Sequence, residues 1–247
     1  MKHTFFNLLL LVVISLIITS CSKDDTAIGS SNGTFTDPRD GEVYKTIKIG
    51  DQIWMAENLR ATKYNDGTDI PLVTDNSAWL RNAPAYCWYN NDEATYKDTY
   101  GALYNWDVIE TGKLAPKGWH VPTDNEWSKL ESYLGDNGYN YDGTTDSWGA
   151  KLGKSLASQS NWKSSTEIGD VGNDLSTNNS SGFNGLPVGR RLSIHGTFKG
   201  DSTETFWWTS TEAANGAFFR ALYNSRSFLY SSDGDIRNGY SVRCIKD

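Results

Sequence analysis

The sequence predicts an α+β fold, with short β-hairpins at both ends of one domain and two main helices and long loops between them. Residues 42–54 alternate apolar and polar side chains around a Gly-Asp pair, and short aromatic-rich runs return after residue 205. Between these regions, residues 123–135 place apolar side chains at helical spacing. Strand signals at the ends and helix signals in the middle are typical of α+β domains.

The first hairpin is predicted over residues 42–54. β-branched residues alternate with polar ones on each side of Gly50 and Asp51, which supply a two-residue turn. The first helix is predicted over residues 99–110, because Leu103, Trp106 and Ile109 follow helical spacing and Gly112 can end the helix.

The second helix begins at a capping box. In Thr123-Asp-Asn-Glu126, the threonine hydroxyl and the glutamate carboxylate each satisfy a backbone donor of the other residue. Trp127, Leu130 and Leu134 then form an apolar stripe. This role removes Glu126 from the candidates for catalysis.

Long loops are predicted after this helix. Residues 136–162 and 164–181 are rich in Gly, Asn and Ser, with one further helix expected over residues 148–157. Loops of this length are uncommon in compact domains and often carry function. Four strands follow, over residues 206–211, 217–223, 227–230 and 240–245.

The N-terminus predicts a lipoprotein signal peptide over residues 1–20. An uncharged, mostly apolar run follows Lys2 and ends with Ile-Thr-Ser before Cys21, the expected lipidation site. A flexible linker is expected over residues 21–36 and one domain over residues 37–247. The charges after Cys21 resemble a Bacteroidota export signal, so we expect a lipid anchor in the outer membrane, on the cell surface.

Composition argues against nucleic acid as a partner. The net charge is -7, and no cluster of Lys and Arg interleaves with the aromatic residues, which make up 13% of the chain. With Cys21 acylated, Cys87 and Cys244 remain, in a compartment that permits disulfides. Sequence spacing leaves open whether they form a bridge or two buried thiols.

Several sequence blocks resemble the Fibrobacter succinogenes major paralogous domain. They run in the family's order from residue 40 to residue 244: DGEVYKTIKIG, WMAENL, AYCWYNND, YGALYNW, GWHVPTDNEW, WWTSTE and GYSVRC. The resemblance implies a C-type-lectin-like fold, similar also to that of the formylglycine-generating enzymes. It further implies paired N- and C-terminal strands and a long loop region that carries function. Ala115 stands where family members often have a cysteine, which implies that Cys244 is a free thiol.

No catalytic centre, metal site or cofactor is predicted. The paired cysteines of the formylglycine-generating enzymes are not matched, because Cys244 stands alone in its region. His120 is expected to be a packed structural residue. The run from Asp136 to Gly143 has the acidic and glycine content of a calcium loop, but its register places glycines at ligand positions.

The last third of the chain holds the candidate ligand-binding residues. They combine rigid aromatic side chains with adaptable hydrogen-bonding groups, a composition that suits protein and glycan ligands. The residues are Tyr223, Asn224, Arg226, Phe228, Tyr230, Asp233, Arg237, Asn238 and Tyr240. The alternative is a hairpin whose aromatic residues belong to the core.

The expected function is that of a cell-envelope lipoprotein with a lectin-like domain that binds a glycan or a surface protein. Two alternatives stay open: an enzyme acting on polysaccharide or protein, which fold analogy alone supports, and a structural envelope protein without a discrete ligand.

Overall fold

The computed structural model describes residues 32–146 and 151–247. The predicted signal peptide, Cys21 and part of the predicted helix over residues 148–157 lie outside these residues. The strands are β1 Gly33–Thr36, β2 Val43–Ile49, β3 Gln52–Met55, β4 Tyr86–Cys87, β5 Leu103–Tyr104, β6 Trp119–His120, β7 Arg190–Arg191, β8 Phe198–Lys199, β9 Glu204–Ala213, β10 Gly216–Tyr223, β11 Tyr230–Gly234 and β12 Ile245–Lys246. The helices are α1 Asn76–Trp79, α2 Glu93–Tyr100, α3 Trp106–Glu110, α4 Asp124–Asp136 and α5 Gly153–Leu156, with 3-10 turns at Tyr89–Asn91 and Leu175–Thr177. This mixture of sheets and short helices confirms the α+β class.

The largest described sheet joins the two ends of the domain. Its order is β1-β2-β3-β12-β6, and Trp54 of β3 pairs with Ile47 on one side and with Ile245 on the other. A second sheet has the order β11-β10-β9, and two-stranded ribbons pair β4 with β5 and β7 with β8. Gly33–Thr36 pair with β2, so the folded domain includes residues that the sequence assigned to the linker.

The β2–β3 hairpin and helix α4 form as predicted. Gly50 and Asp51 connect Ile49 to Gln52, and Gly50 has a φ of 62°, which glycine adopts without steric cost. Thr123 Oγ1 accepts from the Glu126 amide at 3.2 Å, and Glu126 Oε2 accepts from the Thr123 amide at 2.8 Å. The capping box is therefore confirmed.

The helix predicted over residues 99–110 is wrong in its first half. Helix α2 ends at Tyr100 because Gly101 has a φ of 72°, and a side chain there would lie 2.8 Å from the Leu59 carbonyl oxygen. Leu103 and Tyr104 then pair with β4, and only Trp106–Glu110 are helical. Tertiary pairing of β5 overrides the helical spacing of the apolar residues.

Two strands of the last third differ from their predicted positions. The strand expected over residues 227–230 lies at Tyr230–Gly234. Of residues 240–245, only Ile245 belongs to a strand, while Tyr240 and Ser241 make isolated bridges to Tyr104 and Trp207. The described part of the third predicted helix is the single turn Gly153–Leu156.

The described core consists of three clusters that combine aromatic and aliphatic side chains. Helix α4 packs Trp127 against Trp54 and Trp207, at ring-centroid distances of 4.8 and 5.9 Å. The loops predicted to lie on the surface contribute buried side chains to the same cluster, including Leu156, Trp162 and Val171. Among the helices of residues 32–146 and 151–247, none has the length and apolar character needed to cross a membrane.

Cys87 and Cys244 are both free and buried, so the structure forms no bridge between them. Cys87 packs beside Trp79, whereas Cys244 belongs to the cluster around Tyr104. Burial raises the pKa of each thiol to about 12. Both side chains therefore act as small apolar core residues.

Candidate ligand-binding groove

The nine predicted ligand-binding residues do not form one surface. Tyr240 is wrong as a binding residue, because its ring is buried and stacks on Phe206 at a centroid distance of 4.8 Å. Tyr223 is half-buried and meets Phe206 and Tyr230 edge to face. Phe228 is also only partly exposed. The hairpin's aromatic residues thus serve largely as core, which was the alternative interpretation.

The polar members of this set divide between the two ends of β10. Beyond Tyr223, Asn224 donates to the Lys163 carbonyl at 3.3 Å, while Arg226 is exposed. Asp233, also exposed, pairs with Phe218 close to the Gly216 end. Near Gly216, at the opposite end, Arg237 forms a 2.6 Å ion pair with Asp235. Asn238 accepts a hydrogen bond from the Ser193 amide at 2.9 Å. A single ligand-binding face is therefore not formed by these residues.

The long loops form a groove of ≈ 540 Å³, which we call the loop groove. One wall is the loop that comes after helix α4 in the chain. The other wall comes from α5 and from the segment around and after the Leu175–Thr177 turn. The lining residues are Asn137, Gly138, Tyr139, Asn140, Tyr141, Gly143, Lys154, Ser155, Thr177 and Ser180. Tyrosine rings, amides and hydroxyls in a concave site can bind a ligand that has both apolar faces and hydrogen-bonding groups.

Asn140 provides an unsatisfied acceptor in the loop groove. The residue is only 5% exposed, and its Nδ2 donates to the Thr144 carbonyl at 2.8 Å. This contact fixes the orientation of the amide, because the opposite orientation would set two acceptors against each other. Asn140 Oδ1 is then buried without a hydrogen-bond partner. Such an atom costs about 1–3 kcal/mol unless a donor reaches it.

An apolar rim borders the loop groove. Tyr141 is 39% exposed, and its ring covers Gly169, where a Cβ would lie 2.4 Å from the ring. Next to this glycine, Ile168 is 84% exposed. The Tyr141 ring and the Ile168 side chain therefore add exposed apolar surface near the hydrogen-bonding groups of the groove.

A second pocket of ≈ 540 Å³ lies near Gly216 and includes Arg237. Its walls carry the exposed carboxylates of Glu110 and Glu212. Among the described residues that line it, none has a buried side-chain polar atom without a partner. The loop groove is therefore the better candidate for a ligand site.

His120 lies between two carboxylates, rather than being packed as the sequence predicts. Its Nδ1 is 2.7 Å from Asp247 Oδ1, and its Nε2 is 2.9 Å from Glu126 Oε1. Burial lowers the pKa of His120, but the hydrogen bonds to Asp247 and Glu126 outweigh this effect and raise it. A protonated imidazole donates to both carboxylates, so the cluster ties α4 to the β6–β12 edge.

The described residues contain no group of three or more His, Cys, Asp or Glu side chains that could hold a metal ion. The sequence places residues 137–143 in a long loop that is expected to carry function, but it does not indicate the loop groove. Their Tyr and Asn content meets the same criterion that selected the hairpin.

Comparison with family models gives a match to the Fibrobacter succinogenes major domain over residues 47–246. The chain belongs to this family. No curated protein and no solved structure matches the chain. The Fibrobacter succinogenes major domain thus includes the whole loop groove, while β1 and the start of β2 precede the matched region.

Asn58, in the block WMAENL of the Fibrobacter succinogenes major domain, contacts three other blocks of the domain: YGALYNW, WWTSTE and GYSVRC. Its Oδ1 accepts from Trp207 Nε1 at 2.9 Å and from Arg243 Nε at 3.0 Å. Its Nδ2 donates to the Tyr100 carbonyl at 2.9 Å and to Ser241 Oγ at 3.2 Å. A buried amide with all four hydrogen bonds made is a strong determinant of one chain arrangement. The domain's shared blocks therefore hold the fold together.

Proposed function

We propose that this chain is a lipid-anchored, cell-surface envelope protein whose domain binds a glycan or protein ligand in the loop groove. The observation that carries the binding site is the unpartnered Asn140 Oδ1 in a groove bordered by Tyr139 and Tyr141. We further propose a C-type-lectin-like fold, which the pairing of β12 with β3 supports.

Binding is tested by two tyrosine variants with equal exposure. Tyr141→Ala is expected to weaken binding to a glycan identified on an array by about tenfold, because it removes an aromatic face worth about 1.4 kcal/mol. Tyr230→Ala is the matched control, since Tyr230 is 38% exposed and Tyr141 is 39% exposed. Loss of binding in the Tyr230 variant alone would place the site on the hairpin instead.

The anchor is tested by Cys21→Ser, which removes the thiol that the lipid requires. The variant is expected to leave the membrane fraction, because an apolar run of this length is short for a stable span of about 20 residues. Retention of the variant in membranes after a high-salt wash would contradict the lipid anchor. Protease treatment of intact cells tests surface display, since only an outward-facing domain is digested.

A further inference from the structure

Lys154 is a buried cation in the wall of the loop groove. Its side chain is attached to α5, and the residue is only 5% exposed. Its ammonium nitrogen lies 3.3 Å from the Asp170 carbonyl oxygen and 3.2 Å from that of Asp174, and it also donates to the Asn173 carbonyl. The three N–H groups of the ammonium therefore each have a backbone carbonyl as acceptor.

The partners of Lys154 are neutral carbonyl groups. Among the ion pairs of the described residues, none includes Lys154. The carboxylates of Asp170 and Asp174 bind Ser165 and Ser176, each at 2.6 Å. Burial lowers the pKa of Lys154, while the nearby charges of Asp174 and Asp170 oppose this effect. The ammonium is thus held by three backbone carbonyls and no carboxylate, and we call these carbonyls the carbonyl ring.

The carbonyl ring lies where the long loop contacts the rest of the domain. Val171 donates its amide to the Arg226 carbonyl at 3.0 Å, and the Gly172 amide donates to the Asn224 carbonyl at 2.7 Å. Asp174 has a φ of 42°, a strained conformation for a residue with a side chain. Residues 170–174 thus combine hydrogen bonds to residues 224 and 226 with a strained backbone at Asp174.

We propose that the carbonyl ring of residues 170–174 is a binding site for a primary ammonium, which Lys154 fills from within the chain and which organises the long loop. The site takes a primary ammonium, because its three N–H groups can each donate to one carbonyl. Thr177, which lines the loop groove, comes three residues after Asp174 in the chain. The contact between Lys154 and the carbonyl ring therefore also positions this wall of the groove. The inference concerns the order of the loop and goes beyond the proposed ligand binding, so either can fail alone.

Chemical rescue tests this site. Lys154→Ala removes three methylene groups and the ammonium, which n-propylammonium can replace. We expect the Val171 and Gly172 amides of the variant to exchange with solvent about ten- to a hundredfold faster than in the wild type, because a charged hydrogen-bond donor is lost. Added n-propylammonium is expected to slow this exchange at least tenfold.

Three controls make the rescue specific. Tetramethylammonium has no N–H group and is expected to leave the exchange of Lys154→Ala unchanged. Lys154→Met fills the space without a charge, so it is expected to exchange rapidly and not to respond. Lys151→Ala removes an ammonium that pairs with Asp142 at 2.7 Å outside the carbonyl ring, and it is expected to exchange like the wild type.

Two results would overturn the proposal: wild-type exchange in Lys154→Met, or failure of n-propylammonium to slow exchange in Lys154→Ala. If Lys154→Ala does not fold alone, refolding with each ammonium salt is the same test. Recovery with n-propylammonium and not with tetramethylammonium supports the cation site. Equal recovery with both salts, or recovery with neither, contradicts it.

Discussion

Replacing Asn58 with Ala is expected to lower the free energy of unfolding by about 3 kcal/mol or more, one of the two largest effects expected in this domain. The change leaves the Tyr100 carbonyl and the Ser241 hydroxyl without their amide donor, and Trp207 Nε1 and Arg243 Nε without their acceptor. Each such buried group costs about 1–3 kcal/mol when its partner is removed.

Urea denaturation followed by tryptophan fluorescence measures this loss. Asn215→Ala is the matched control, because Asn215 is exposed in the β9–β10 turn. Its unfolding midpoint is expected to stay close to that of the wild type. A loss below about 1 kcal/mol for Asn58→Ala would mean that water or a rearranged side chain replaces the network.

Arg243→Met is expected to cost about 3 kcal/mol or more, because each buried acceptor left without its donor costs about 1–3 kcal/mol. Arg243 is buried, and it donates to Asn58 Oδ1, to the Phe183 carbonyl and to the Asn184 carbonyl. Its guanidinium also lies 4.2 Å from the centre of the Phe183 ring. Methionine fills much of the volume but leaves these carbonyl groups without a donor.

The control for Arg243 is Arg226→Met, at an exposed position whose side chain donates to the neighbouring Ser225 carbonyl. We expect the control to change stability by less than about 0.5 kcal/mol. In the double variant with Asn58→Ala, the losses are expected to be less than additive, because the two side chains share one hydrogen bond. Burial lowers the pKa of Arg243 to about 9. An Arg243→Met protein with the wild-type free energy of unfolding would show that the cost of burying this cation equals the stabilisation from its contacts.

Helix α4 and the first hairpin could be predicted because their signals are local. Thr123 and Glu126 satisfy each other within one turn, and Gly50 and Asp51 close the hairpin without help from distant residues. Residues 99–110 mislead because Leu103 has helical spacing to Trp106 and Ile109, whereas in the structure Leu103 pairs with Cys87 in a strand. A pairing between distant residues leaves no local trace.

Composition identified the kind of binding residue but not its place. The hairpin and residues 137–143 are both rich in Tyr and Asn, yet the structure buries Tyr240 and leaves Tyr141 exposed. Which tyrosine faces solvent depends on the elements that cover it. Gly169 approaches the ring of Tyr141, while Phe206 and Trp208 enclose that of Tyr240.

By itself, the sequence determined the α+β class, the capped helix, the family blocks and the expectation of a lipidated N-terminus. Each of these predictions depends on residues that are close together in the sequence, or on motifs that occur in a fixed order along the chain. Only the tertiary structure decided that Cys87 and Cys244 stay apart, that Lys154 holds three carbonyls of a distant loop, and that Asn140 Oδ1 is buried without a partner in the wall of a groove. These features depend on contacts between segments far apart in the chain. Which side chains are buried and which groups form hydrogen bonds is set by the packing of those segments, and the order of residues in the sequence does not show it.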